Sequence, residues 1–349
     1  MKSPQHILIL RLSAMGDVAI MVPLLRVLFN SDPTLRMTLV SRSAFKPIFK
    51  EFDRLDFFAI DTDHKHKGFF GLWKLFNQLK ALQPTSIADL HSVLRTHILV
   101  IYFRIFGFRV ARIQKGRTEK KALTRANNKV FVQLKTTLER YADVFRKLGF
   151  DLRIPESIQK ENNRKNLPVS LRENLPSRDL KWIGIAPFAS YKGKTYPKKL
   201  MKEVVKELAQ CYHILLFGGP GDEAEELSSW TNLSDKVYLM TNLGSLTYEL
   251  LVIEQLDLMI SMDSANGHLA ANFGIPVLSI WGLTHPFAGF APFSQSDSYN
   301  LIADRDQYPL IPTSIYGNKV PDGYEHAMES ITVKNIVRTA EQILKDRID

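Results

Sequence analysis

Residues 7–29 read ILILRLSAMGDVAIMVPLLRVLF, a short apolar run, a turn holding Gly16 and Asp17, and then a longer apolar pattern. The run from Ile7 to Arg11 suits a strand buried on both faces, and Val18 to Phe29 suits a helix packed against it. The same order recurs downstream. Further strands are expected at 37–41, 56–60 and 86–90, with helical patterns at 69–82 and 138–148. That alternation predicts a mostly parallel sheet covered by helices. Over 151–179 the pattern lapses among Pro155, Pro168, Pro176 and many polar residues, as a linker would. A second alternation follows, with strands at 182–186, 213–217, 237–240, 258–261 and 277–281. Helices fit at 200–209, 222–230, 246–254 and 264–273, and 333–344 reads as a closing amphipathic helix. The expected fold class is α/β, with two Rossmann-like domains facing each other across a cleft.

Composition agrees. A chain of 349 residues with 45% hydrophobic and 23% charged residues is neither disordered, collagen-like nor a coiled coil, and its length suits two domains. Cys211 is the only cysteine, so no internal disulfide or cysteine-based zinc site is available, and a reducing, cytoplasmic setting is expected. The apolar run 7–10 is too short for a secretion signal. The stretch 97–108 is interrupted by Arg104 and too short to cross a bilayer.

The formal charge of +10 is unevenly spread: a net of +15 through Lys160 and −5 beyond it. From Arg104 to Lys135 there are ten basic residues against Glu119 alone. Nucleic acid, an anionic membrane or a phosphorylated substrate would each be attracted there, and a solvated basic face is the plain alternative.

In doubly wound sheets ligands gather where strands end and helices begin, so the turns after Leu12 and Ser261 are the candidate ligand sites. In the first, Gly16 would let a ligand approach the backbone and Asp17 would offer a carboxylate, or merely cap the helix. No Gly-x-Gly-x-x-Gly follows this strand, which counts against a dehydrogenase. In the second, MDSANGHLAA at 262–271 places helix-start amides where a pyrophosphate could bind, with Ser264 or His268 adding side-chain bonds; a capped helix with a core histidine is the alternative. The segment from Ser190 to Pro197 contains Gly-Lys-Thr, but Phe188 stands where a Walker loop needs glycine, leaving Lys194 as a point charge for phosphate. Gly218 to Glu223 could border a ligand or form a plain turn. Asp61, Asp63, His64 and His66 have metal-binding side chains but lie among lysines in an expected loop. The helix expected over 93–108 could lie on a membrane or pack on the sheet.

Together the LSAMGD turn with Pro23, the MDSANGHLAA turn and Gly274-Ile275-Pro276 resemble glycosyltransferase family 9, the ADP-heptose:lipopolysaccharide heptosyltransferases, over nearly the whole chain. The resemblance implies a GT-B fold with an acceptor-binding domain over 1–165 and a nucleotide-sugar-binding domain over 180–330. A last helix, 331–349, is expected to pack back on the first domain. It implies inverting transfer of a heptose or related sugar from an ADP-sugar to the lipopolysaccharide inner core, without a catalytic metal or cofactor. Asp17 corresponds to the general base, Lys194 to a donor phosphate contact and Asp263 to a donor sugar contact. Ser264, Ala265, Asn266 and Gly267 correspond to the phosphate-binding turn with His268 beside it, and Ser190 and Leu243 to further donor contacts, Leu243 against the adenine. Ala265 departs from the Thr-Gly or Ser-Gly common in the family at this turn.

The implied acceptor is an anionic phosphorylated glycolipid, Kdo-lipid A or inner core, met at the inner face of the cytoplasmic membrane through peripheral contact. Ser13, Gly16, Arg95, Lys115, Arg117, Lys120, Lys121 and Arg125 are the candidate acceptor contacts, the last six by charge alone. Two other readings stay open: a GT-B enzyme that isomerises or hydrolyses a nucleotide sugar without a lipid acceptor, and, more remotely, a nucleic-acid-binding protein, although no known nucleic-acid module is present.

Overall fold

The computed structural model describes residues 5–157, 167–173, 175–241 and 243–346, which form two compact units. The first contains β1 (His6–Leu10), α1 (Met15–Ala19), α2 (Met21–Ser31), β2 (Arg36–Ser41), β3 (Leu55–Ala59), α3 (Gly68–Ala81), β4 (Ser86–Asp89), α4 (Leu94–Ile105) and β5 (Arg109–Arg112). The chain then leaves this unit through α5 (Arg117–Thr124) and returns in α6 (Thr137–Lys147). All strands are parallel in the order β3-β2-β1-β4-β5, so β1 is central; Ile7 pairs with Met37 on one side and Ser86 on the other. Ile7 to Leu10 are fully buried, which is why this strand reads as an unbroken apolar run. The helix expected over 18–29 is present but divided at Ile20, which ends α1 and precedes α2.

The second unit holds α7 (Val169–Arg172), β6 (Trp182–Ala186), α8 (Lys198–Leu208), β7 (His213–Leu216), α9 (Asp222–Trp230), β8 (Val237–Leu239), α10 (Leu246–Ile253), β9 (Leu258–Met262), α11 (Ala265–Asn272), β10 (Val277–Trp281), β11 (Asn300–Ile302) and α12 (Val333–Lys345). Its six strands are parallel in the order β11-β10-β9-β6-β7-β8. In both sheets the strand that comes first in sequence lies inside the sheet and the order reverses beside it, between β1 and β4 and between β6 and β9. These are the switch points where ligands bind in open α/β sheets.

Three expectations need correction or qualification. Residues 116–136 cluster with the second unit, although the sequence reading placed them inside 1–165. The cause is apolar: Leu123 and Leu134 are buried with Ala288, and the Phe131 ring lies 4.8 Å from that of Phe287. Lys129 pins the same segment, its Nζ donating to the carbonyls of Leu123, Leu310 and Pro312 at 3.1, 2.9 and 2.8 Å. Burial, then Arg305, pushes the Lys129 pKa down to about 8. Second, α12 clusters with the second unit and packs on its α8 and β9. Ile336, Ala340, Ile343 and Leu344 form its buried stripe, in one cluster with Val204 and Leu208 of α8. Thr332 caps it by accepting from the Asn335 amide at 3.1 Å, worth about 1 kcal/mol. Third, the linker expected over 151–179 contains α7, while 158–166 and 174 lie outside the described residues.

Candidate functional site

Each unit presents a polar group at its switch point. In the first, Asp17 lies in the first turn of α1, directly after β1. It is not the cap: Ala14 occupies that position, and the Asp17 carboxylate turns instead to Arg11. Arg11 Nη2 lies 2.5 Å from Asp17 Oδ2, and Arg11 Nη1 donates to the Leu90 carbonyl at the end of β4 at 2.8 Å. The Arg11 guanidinium also lies 5.7 Å from the centre of the Tyr141 ring, and the Tyr141 hydroxyl donates to the Asp17 carbonyl at 3.2 Å. Arg11 is buried, whereas the Asp17 side chain keeps 29% exposure. The result is a carboxylate with Oδ2 fixed by a buried cation and Oδ1 free of hydrogen-bond partners among the described residues.

Beside it the His91 Nδ1 accepts from the Leu12 amide at 3.4 Å. Burial, then Arg11, Lys115 and Arg42, pushes the His91 pKa down to about 3, so the ring is neutral at physiological pH. Ser13 and Gly16 are half-buried in the same turn.

In the second unit, Asp263 follows β9 and is almost fully buried. Lys194 Nζ lies 2.7 Å from Asp263 Oδ2, and the Thr284 hydroxyl donates to the same oxygen at 3.0 Å. The turn that delivers Lys194 is tight: a Cβ on Gly193 would sit 2.5 Å from the Gly317 carbonyl oxygen, and Gly193 O accepts from the Leu283 amide at 2.8 Å. Ser264 occupies the cap position of α11 without capping it, because its hydroxyl pairs with Ser261 Oγ at 3.0 Å. Among the described residues the first-turn amides at Ala265, Asn266 and Gly267 therefore have no cap from the Ser264 side chain, and they carry the partial positive charge of a helix start. Gly267 serves packing: a Cβ there would come within 3.3 Å of both Pro292 and Val277. His268 is buried within α11, Leu243 is half-buried, and Ser190 is exposed at the end of the loop after β6.

Thus Lys194, Asp263 and Ser264–Gly267 come together, as do Ser13, Gly16 and Asp17. The six basic acceptor candidates divide between the two units. Arg95 and Lys115 belong to the first unit, whereas Arg117, Lys120, Lys121 and Arg125 belong to the second. Lys120 Nζ lies 4.3 Å from the centre of the Phe290 ring, and Arg125 Nε donates to the Asn128 carbonyl at 2.6 Å. The metal-like group at 61–66 is a closed turn. Asp61 accepts from the amides of Asp63, His64 and Lys65, and His66 bonds the Asp61 amide and Gln78.

Sequence reasoning missed Arg11, Tyr141 and Thr284. A lone arginine closing an apolar strand was the available signal for Arg11; the other two are distant in sequence. It also missed Glu249 on α10, which packs on α11; burial alone pushes its pKa up to about 7.

Residues 72–311, more than half of the chain, match the family description "Glycosyltransferase family 9 (heptosyltransferase)". The chain belongs to glycosyltransferase family 9. As a family 9 glycosyltransferase it is 23% identical over 325 residues to the lipopolysaccharide core heptosyltransferase OpsX of Haemophilus influenzae, covering 85% of this chain and 84% of OpsX. Its fold is similar to that of a family 9 glycosyl transferase from Veillonella parvula, with a TM-score of 0.73 at 18% identity over 99% of both chains. It is also similar to E. coli heptosyltransferase WaaC with ADP, with a TM-score of 0.68 at 16% identity over 97% of this chain and 100% of that one. The fold is therefore the GT-B type, with two Rossmann-like units of parallel sheet and helix. No helix among the described residues is long and apolar enough to cross a membrane.

Proposed function

We propose that this glycosyltransferase moves a heptose or related sugar from an ADP-sugar to an anionic phosphorylated glycolipid, Kdo-lipid A or inner core, during lipopolysaccharide assembly. The reading places it in the cytoplasm, in peripheral contact with the inner face of the cytoplasmic membrane. The observation that carries it is the pair of polar groups at the two switch points, Asp17 with Arg11 and Lys194 with Asp263 before the uncapped start of α11. The similarity to OpsX, a lipopolysaccharide core heptosyltransferase, and the ADP in the WaaC structure support the choice of donor and acceptor.

In the proposed step an acceptor hydroxyl attacks the anomeric carbon of the donor while its proton passes to the Asp17 carboxylate. The bond from that carbon to the diphosphate oxygen breaks, and the configuration inverts once. Arg11 holds the carboxylate rotamer, and a base so placed contributes about 10² to 10⁴ in rate. The departing ADP carries the charge of the broken bond. Lys194 and the amides of Ala265 to Gly267 would receive it, each charged hydrogen bond contributing about 1.5–3 kcal/mol. This chemistry asks for no divalent ion. Asp263, held by Lys194 and Thr284, is assigned to the sugar hydroxyls. The first unit is assigned the acceptor and the second the donor.

The test incubates the protein with ADP-heptose and a Kdo-bearing lipid A, follows ADP release, and identifies the product and its anomeric configuration by mass spectrometry and NMR. An inverted heptosyl-lipid is expected. Free sugar or an altered nucleotide sugar formed equally without lipid would replace the transfer reading with hydrolysis or isomerisation, and retained configuration would remove Asp17 as base.

A further inference from the structure

We infer that the outer face of α3 and α4 docks on an anionic lipid bilayer, with aromatic and aliphatic side chains entering the interface and a basic rim meeting the headgroups. The inward sides of both helices do ordinary work: Leu72, Leu75, Phe76 and Leu79 of α3 and Leu99 and Phe103 of α4 lie in the buried cluster under the first sheet. A helix covering a sheet normally turns polar residues outward. Here Phe69, Phe70 and Trp73 of α3 are 63, 86 and 40% exposed, and Ile101, Ile105 and Phe106 at the end of α4 are 53, 73 and 45% exposed.

The aromatic side chains are linked across the two helices. The Trp73 ring lies 5.2 Å from Tyr102 and 6.1 Å from Phe106, and the Phe69 ring lies 6.0 Å from Tyr102. A contiguous exposed patch of this kind marks an interaction surface.

Charge decides the occupant. Between Lys65 and Arg109 the chain has seven Lys and Arg and a single acidic residue, Asp89, which is fully buried against Arg112. Lys80 Nζ lies 4.2 Å from the centre of the Phe106 ring, so a cation borders the aromatic surface directly. Arg104, on the outer side of α4, also lines a cavity of about 420 Å³ with Arg109, Arg112 and Lys147, and no carboxylate lines it. Two copies meeting through this face would set two basic rims against each other, whereas an anionic bilayer complements both the apolar centre and the rim. Insertion is shallow, since neither helix is long enough to span.

The inference deepens the proposed function by naming the surface that brings a lipid-linked acceptor within reach, but its test uses neither donor nor acceptor. The intact protein is sedimented with vesicles of phosphatidylcholine alone or with about 30% phosphatidylglycerol, at low and high salt. Wild type should pellet with the anionic vesicles at low salt and be released by salt. Trp182, Trp230 and Trp281 are buried and Trp73 is the exposed one of the four tryptophans, so a blue shift of emission on binding reports Trp73 itself. The variant Phe70→Ser/Ile105→Ser alters two solvent-exposed side chains; it should keep the wild-type melting temperature and lose partitioning by more than about ten-fold.

Wild type that stays in solution with anionic vesicles overturns the inference, as does equal binding to neutral vesicles or wild-type binding by the double variant. A concentration-dependent dimer abolished by the same substitutions would overturn it in favour of a second copy. Because sugar transfer is assayed separately with soluble donor, loss of this inference leaves the transferase reading standing, and the reverse.

Discussion

Replacing Lys194 by methionine keeps the length of the stem and removes the charge that faces Asp263 at 2.7 Å. The Asp263 side chain is only 7% exposed, so its carboxylate would be left with the Thr284 hydroxyl at 3.0 Å as its remaining partner. Breaking a fully buried pair this way costs about 3–5 kcal/mol; the 15% exposure of Lys194 and the retained Thr284 bond reduce this to roughly 2–3 kcal/mol. For a unit of this size that lowers the melting temperature by roughly 5–10 °C. Thermal unfolding followed by the fluorescence of the buried Trp230 and Trp281 reads the second unit.

The double variant Lys194→Met/Asp263→Asn removes the stranded charge and should recover most of the stability. It should not recover nucleotide binding: calorimetric ADP affinity should fall about ten- to one-hundred-fold in both, because the phosphate has lost its cation. Asp263→Asn alone should bind ADP at least as tightly as wild type, since Lys194 is released from its partner. A single variant that melts with wild type, or a double variant with wild-type ADP affinity, would refute the reasoning.

Asp17→Asn should lower kcat by about 10² to 10⁴ while calorimetric ADP affinity is unchanged; near-normal turnover would remove Asp17 from the chemistry. His91 and His285 are held neutral by burial, first, and by nearby cations, with pKa values pushed down to about 3 and about 4. The unfolded chain therefore binds the extra protons, so stability is complete above about pH 6.5 and declines as pH falls through that value, and His91→Gln should flatten the slope of melting temperature against pH. Glu249 has the opposite sign: with its pKa raised from 4.5 to about 7, its contribution is complete below the unfolded value and is lost as pH rises through 7. Glu249→Gln should therefore stabilise the protein at pH well above 7, by roughly 3 kcal/mol at most, and give no gain in acid; equal melting at both pH values would contradict the buried carboxylate.

Both central strands and both switch-point turns were readable because each combines a continuous apolar run with a local signal, Gly16-Asp17 in one and Asp263-Ser264 in the other. What supports those turns was not. Tyr141 reaches Asp17 from α6, and Thr284 reaches Asp263 from beyond β10, and no periodicity announces such pairings. Of the four edge strands, β3 and β8 were legible while β5 and β11 were missed for a related reason: β5 carries two arginines in four residues and β11 is only half-buried, so neither shows the apolar run of a central strand. The run of basic residues over 104–135 was visible as charge, yet Leu123, Phe131 and Leu134 decide where it goes by burying against Phe287 and Ala288 far along the chain. Charge patterning is local and such burial is not.

That excursion has an outcome for how the molecule is made. The polypeptide passes from the first unit to the second at Lys115, back at Thr137 and over again after Glu156, so no single cut frees either body whole. A fragment ending near 156 would carry Leu123, Phe131 and Leu134 with nothing to cover them, and one starting there would lack the Lys129 ammonium that joins Leu310 and Pro312. During synthesis the 116–136 strip must wait on the ribosome for well over a hundred further residues before its seat exists, a window in which a holding chaperone would have greasy side chains to grasp.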